Sequence, residues 1–372
     1  MSKLEELLQG VDVEWLPLGA CAVYEQPNKY LVKSKDYNNE YNTPVLTAGK
    51  TFILGYTNEK EGIYKASLAP VIIFDDFTTA NKWVDFDFKA KSSAMKIIKS
   101  KDESKTLLRY IYYWINSLPS DLVEGDHKRQ WISNFSKKLI PIPSIEIQQE
   151  IVRVLDELTS LTNQLTTELQ TERQNRKKQF EFFREQLFRF EEGDVEWKKL
   201  GEIFNMKAGK HISSNNISKI SNSEYRFPCF GGNGIRGYVK SKNESGNYVL
   251  IGRQGALCGN VKRYNGDFYA TEHAVVVKPI YKINIEFSYY LLLLMNLNQY
   301  ASKSAQPGLA VGKLESLKVA IPPLEEQERI VKLLDQFDAT HTAIEEEITK
   351  EIKLRTQQYE YYREKLLSFP IK

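Results

Sequence analysis

At 372 residues, with 42% hydrophobic and 27% charged side chains, the chain is long enough for two or more domains and too apolar to be disordered. Its net charge of +3 permits nucleic-acid binding without arguing for it, because clustering of Lys and Arg decides, not their sum. Cys21, Cys229 and Cys258 are too few and too scattered for a disulfide framework or a zinc site, so each is expected to be a buried apolar residue.

The first residues, Met-Ser-Lys-Leu-Glu-Glu, lack the layout of a signal peptide. The longest apolar run, residues 289–295, falls far short of the ~20 residues a bilayer span requires. A soluble, cytoplasmic protein with no membrane association is expected. Residues 1–140 read as a first globule, rich in Tyr, Phe, Gly and short alternating runs. The segments 71–74 and 84–88 read as strands and 107–118 as an apolar helix. Polar residues between these elements are candidates for DNA contact: Lys50, Thr78, Thr79, Asn81, Lys82 and Trp83, with Lys128, Arg129 and Gln130 further on.

Residues 141–192 read as one long helix. Its apolar residues fall at 151, 155, 158, 165 and 169, then at 180, 183, 187 and 190, alternating steps of three and four. It starts after Pro141 and Pro143 and stops near Gly193. At 1.5 Å per residue such a helix is a rod of roughly 65 Å. A second globule, residues 193–320, repeats the pattern of the first. Residues 248–251 and 274–277 read as strands, 231–234 and 265–267 as turns, and 287–297 as a helix. Arg226, Arg236, Lys240, Lys242, Arg253, Gln254, Lys262 and Arg263 crowd this globule, and Lys303 and Gln306 occupy a polar loop ahead of the next helix. Arg and Gln carry the paired donors and acceptors that match guanine and adenine edges in the major groove. Taken singly, each is also what a solvated surface residue looks like. Residues 321–372 read as a second long helix, with the same stripe at 330, 334, 337, 344 and 348, then 359, 362, 366 and 369.

The two long helices are one segment written twice. Ile142-Pro143-x-x-Glu146-x-Gln148-x-x-Ile151-Val152-x-x-Leu155-Asp156 returns as Ile321-Pro322-x-x-Glu325-x-Gln327-x-x-Ile330-Val331-x-x-Leu334-Asp335, and residues 142–190 match 321–369 at 17 of 49 positions without a gap. A shorter echo opens each globule: Trp15-x-x-Leu18-Gly19 and Trp197-x-x-Leu200-Gly201. A rod with one apolar stripe needs a partner, and its own repeat is the nearest. An intramolecular antiparallel coiled coil with pseudo-two-fold symmetry is expected, and a parallel pair is the alternative. Thr162, Glu172, Arg176, His341, Glu351 and Arg355 interrupt the stripe, either fixing register or marking a wet, splayed section.

Catalytic signatures are sparse. No Gly-rich phosphate loop with Lys-Ser/Thr occurs, no Asn-Pro-Pro-aromatic or Asp-Pro-Pro-aromatic tetrapeptide, and the four His residues are scattered. One enzyme-like pattern remains, Asp75 or Asp76 with Asp87-Phe88-Lys89, which resembles the acidic pair plus Lys of metal-dependent nucleases and equally resembles a half-buried strand.

The duplicated helix motif between two divergent globules resembles the specificity subunit of type I restriction–modification systems, over nearly the whole chain. The resemblance implies an α+β fold: two target recognition domains with bent β-sheets, linked by two long helices. It implies a non-catalytic subunit that reads a bipartite sequence on double-stranded DNA, one half-site per globule, with the helices as ruler. It also implies two modification subunits, which carry S-adenosylmethionine and the methyl transfer, and two restriction subunits with nuclease and translocase activity. S-adenosylmethionine, Mg²⁺ and ATP would then belong to the partners, with no cofactor in this chain. Two other classes compete: a coiled-coil scaffold whose globules bind proteins, which predicts no salt-dependent DNA affinity, and a self-sufficient nuclease built on Asp87.

Overall fold

The computed structural model describes residues 8–47, 51–119, 129–304 and 306–370. The chain divides into two compact units, residues 1–169 with 350–372, and residues 170–349. Each therefore holds one globule, half of one long helix and half of the other.

In the first unit, β1 (Glu14–Pro17) pairs antiparallel with β9 (Leu139–Ile142), Trp15 opposite Pro141. Between them lie two sheets. One has four antiparallel strands, in the order β2 (Ala22–Glu25), β8 (Met95–Ser100), β5 (Val71–Asp75), β6 (Asn81–Val84). The other has three, in the order β4 (Ile53–Thr57), β3 (Thr43–Leu46), β7 (Lys89–Ala90). Strand β5 reads as an unbroken apolar run because both its faces are covered, and alternate residues of a strand point to opposite faces. Ile72 and Phe74 face a core built with helix α1 (Leu108–Ser117); Val71 and Ile73 face a second one with Phe88 and Ile97. The run 84–88, expected as one strand, is broken. Strand β6 ends at Val84 and β7 begins at Lys89, because Asp87 turns aside to bind Lys65 Nζ (2.8 Å) and Ser67 Oγ (2.6 Å).

The second unit repeats this plan with a larger sheet. Strand β10 (Glu196–Lys199) pairs with β17 (Lys318–Ile321), Trp197 opposite Ala320. Six strands follow in the order β11 (Phe204–Ala208), β16 (Ala274–Pro279), β14 (Glu244–Gly252), β15 (Val261–Ala270), β12 (Phe227–Gly231), β13 (Gly234–Val239), antiparallel except for β12 beside β15. Val249, Ile251, Val275 and Val277 face one core with helix α3 (Ile285–Leu294); Leu250, Ala274 and Val276 face the other. Residues 265–267, expected as a turn, lie inside β15. Gly266 stands opposite Gly246 in the register, both with positive φ, and the Tyr264 and Tyr248 rings lie over the space that a Cβ would fill.

The long helices are continuous: α2, Ile145–Leu187, and α4, Leu324–Leu367. Within each unit their halves run antiparallel. In the second unit Phe183 stacks on Phe337 (5.2 Å), Phe180 meets His341 (5.8 Å) and Arg173 pairs with Glu345 (2.5 Å), so partner numbers rise on one helix as they fall on the other. In the first unit Thr159 Oγ1 meets Tyr359 Oη (3.3 Å), while Ile151 and Leu155 share a core with Leu366 and Leu367.

The repeated motif is a docking device. Ile151, Leu155, Ile330 and Leu334 are fully buried against their own globules. Buried Gln148 accepts from Leu107 N (3.0 Å) and donates to Pro143 O and Lys105 O (both 2.9 Å). Gln327 repeats two of these, accepting from Asn284 N (2.9 Å) and donating to Pro322 O (2.8 Å). Leu107 and Asn284 are the N-caps of α1 and α3. Each glutamine thus ties the start of a globule helix to the start of its long helix, and the N-cap N–H that it satisfies is one that a helix start leaves unpaired.

Candidate nucleic-acid interface

In the second globule, close backbone approach builds a projecting face. A Cβ on Gly252 would overlap the Gly232 carbonyl, and one on Gly232 would lie 2.6 Å from Gln254 O, so only glycine lets the β12–β13 turn rest on the end of β14. The following loop is then pinned through its backbone. Arg253 N donates to His273 O (2.8 Å), Leu309 N to Arg253 O (2.9 Å) and Gly255 N to Pro307 O (2.9 Å). With the backbone satisfied, the Arg253 and Gln254 side chains are exposed. Together with Gly232, Asn233, Leu257, His273 and Gln306, Gln254 lines an open concavity of about 430 Å³.

Arg236 and Lys262 flank the same turn: their side-chain carbons lie 3.7 Å and 3.6 Å from where a Cβ would stand on Gly231 and Gly234. Arg236, Arg253 and Lys262 are exposed, and among the described residues none forms an ion pair. That leaves their charge available to phosphate. At the rim, Glu272 Oε1 lies 2.9 Å from His211 Nδ1 and 3.3 Å from His273 Nε2. Partial burial, the largest single influence, would raise the Glu272 pKa, but the His211 hydrogen bond, a backbone hydrogen bond and the charges of His273 and His211 together hold the carboxyl below its ordinary value, so it is anionic at neutral pH.

Several other basic candidates of this globule have partners elsewhere. Lys240 pairs with Glu224 (2.5 Å) and Lys242 with Asp267 (2.8 Å), while Arg226 lies exposed over Phe227 (4.7 Å). Arg263, expected at the DNA, pairs instead with Glu286 (2.5 Å) and Asp335 (3.3 Å). Burial, the largest single influence, would lower its pKa, but the Glu286 hydrogen bond and the charges of Glu286, Tyr290 and Asp335 together raise it. Lys303 and Gln306 are exposed, but only Gln306 reaches the concavity.

The first globule retains fewer of its candidates. Thr79 is buried with φ 61°, its N–H bound to Asp75 O, and Gln130 is buried with its N–H bound to Asp76 O (2.7 Å). Neither can reach a base edge. Asn81 accepts from Asn116 Nδ2 (2.9 Å), and Trp83 packs between Arg109, 4.5 Å over its ring, and Tyr112. Thr78 and Lys82 are exposed, and Arg129 is half exposed, 3.6 Å from Asp76. Lys50 and Lys128 lie outside the described residues.

The nuclease-like set is dispersed. Asp76 is fully buried 3.2 Å from Lys96, Asp87 holds Lys65 and Ser67, and Lys89 pairs with Glu59 (2.7 Å). Among the described residues no group of three His, Cys, Asp or Glu could hold a metal ion, and no helix is long and apolar enough to cross a membrane. Sequence reasoning missed Asn233, Leu257 and His273, which the concavity adds; the glycines at 231, 232 and 234 were the available signal, since they mark where backbones meet.

Comparison with known proteins shows the family. The family model described as the type I restriction modification DNA specificity domain matches residues 21–172 and again 192–354. The chain is 47% identical over 409 aligned positions to the type I restriction enzyme EcoR124I/EcoR124II specificity subunit of Escherichia coli, covering 100% of this chain and 98% of that protein. It is 41% identical to the EcoprrI specificity subunit of the same organism, covering 93% and 92%. A chain solved in work on complex assembly and conformational transition of the type I restriction–modification system superposes with a TM-score of 0.74 at 17% identity, covering 98% and 99%, which speaks to the fold alone.

Proposed function

Because this chain belongs to the specificity subunits of type I restriction–modification systems, non-catalytic DNA-recognition components, we propose that it reads a bipartite double-stranded target, one half-site per globule. The observation that carries this is the glycine-pinned face of the second globule. Gln254 and Gln306 converge there on one concavity, flanked by the unpaired cations Arg236, Arg253 and Lys262. Gln can bind adenine through paired bonds and Arg can bind guanine, while cations on phosphates set position and carry the salt dependence. Exposed Leu257 adds an apolar surface suited to a thymine methyl. In the first globule Thr78, Lys82 and Arg129 take the corresponding part.

The long helices act as the ruler between the half-sites. Two modification subunits join this subunit and bring S-adenosylmethionine and the methyl transfer; two restriction subunits bring the ATP- and Mg²⁺-dependent steps. The complex works in the cytoplasm, where its DNA is.

A domain exchange tests the reading. Replacing residues 193–320 with the second globule of another family member should change one half of the recognised sequence and leave the other half and the spacer intact. A change in both halves would contradict independent readers.

A further inference from the structure

In each unit one carboxylate of the long helix holds a tyrosine and an arginine of the globule. Asp156 Oδ1 accepts from Tyr113 Oη (2.5 Å) and Arg109 Nε (2.7 Å), and the Arg109 guanidinium lies over Trp83, Tyr112 and Tyr113 at 4.5, 5.2 and 5.1 Å. Asp335 Oδ1 accepts from Tyr290 Oη (2.7 Å) and Arg263 Nη1 (3.3 Å), and Arg263 lies over Tyr289 and Tyr290 at 4.9 and 5.6 Å. Asp156 and Asp335 are the last residues of the repeated motif, and Tyr113 and Tyr290 occupy matching places on α1 and α3.

The arginines do not match. The α3 counterpart of Arg109 is Glu286, of opposite charge, and Arg263 arrives from β15 to pair with both Glu286 and Asp335. The same guanidinium therefore reaches the same carboxylate by two different routes. A solvated surface pair has no reason to be built twice from unrelated positions.

The glutamine ties of Gln148 and Gln327 hold only the start of each long helix, and the apolar contacts of Ile151 and Leu155 or Ile330 and Leu334 that lie between that start and the aspartate are non-directional. Ionised, bidentate-capable hydrogen bonds are directional. We propose that Asp156–Tyr113–Arg109 and Asp335–Tyr290–Arg263 are positioning clamps that fix the angle at which each recognition globule stands on its helix. They thereby set the distance and phase between half-sites. This inference rests on the DNA-reading function proposed above. One base pair moves a half-site about 3.4 Å along the duplex and roughly 35° around it, so a small slip at a clamp is read out as a changed spacer.

The test uses the complex of this chain with its modification subunit and a DNA library that holds both selected half-sites while the spacer length varies. Tyr290→Phe, which removes one hydroxyl, and Asp335→Ala should keep both half-site sequences. Their preference for the wild-type spacer over spacers one base pair longer or shorter should fall about tenfold. Asp335→Asn, which still accepts from Tyr290, should fall less. Tyr113→Phe should reproduce the loss from the other globule. Unchanged spacer preference in Tyr290→Phe and Asp335→Ala, whether or not melting temperature drops, would overturn the positioning role. A wild-type complex that selects no bipartite sequence would remove the DNA-reading function, and the clamp inference with it.

Discussion

Single residues of the repeated motif divide into those that hold the globule by area and those that hold it by direction. Leu334 is fully buried, and Leu334→Ala should cost about 2–5 kcal/mol by deleting a core side chain and leaving a cavity. Gln327 is also buried, and its amide meets the N–H of Asn284 and the carbonyl of Pro322. Gln327→Ala would strand both, at about 1–3 kcal/mol, the cost of an unsatisfied buried polar group. Because Gln148 makes the same two bonds in the first unit and a third to Lys105 O, Gln148→Ala should cost at least as much. Chemical denaturation followed by circular dichroism measures both. A neutral Gln327→Ala would show that the glutamine is incidental to docking.

At the scale of elements, the long helices were the most legible part of the sequence, since a period of three and four sustained over some 40 residues has no strand reading. The apolar runs at 71–74, 248–251 and 274–277 were legible as strands for the same reason that they are continuous: each is buried on both faces. The failures were local overrides. Asn265-Gly266-Asp267 carries turn chemistry but is held in β15 by its cross-strand partner Gly246, and Asp85–Asp87 carries alternation but is drawn away by Lys65. The candidate interface was half legible. Residue type singled out Arg253, Gln254 and Gln306, but type alone could not show that Arg263, Lys240 and Lys242 are bound to carboxylates or that Gln130 faces inward. The helices also carry a prediction of their own. Inserting four residues near Glu168, roughly one turn of helix, should lengthen the unread gap between half-sites while both half-site sequences persist. Footprinting and binding on a spacer series would report it, and an unchanged gap would contradict the ruler.

At the scale of the whole molecule, duplication accounts for the division of labour. What the halves share is what must be the same in both: the Trp-x-x-Leu-Gly opening that pairs with the strand before each long helix, the glutamine tie and the aspartate clamp. What they do not share is the loop chemistry, and a reader of two different half-sites requires that difference. The most direct test of this account is selection from a random DNA pool by the chain in complex with its modification subunit, followed by sequencing. The account predicts two short fixed motifs separated by a constant unread gap. A well-folded, assembled complex that enriches one uninterrupted motif, or none, would contradict it.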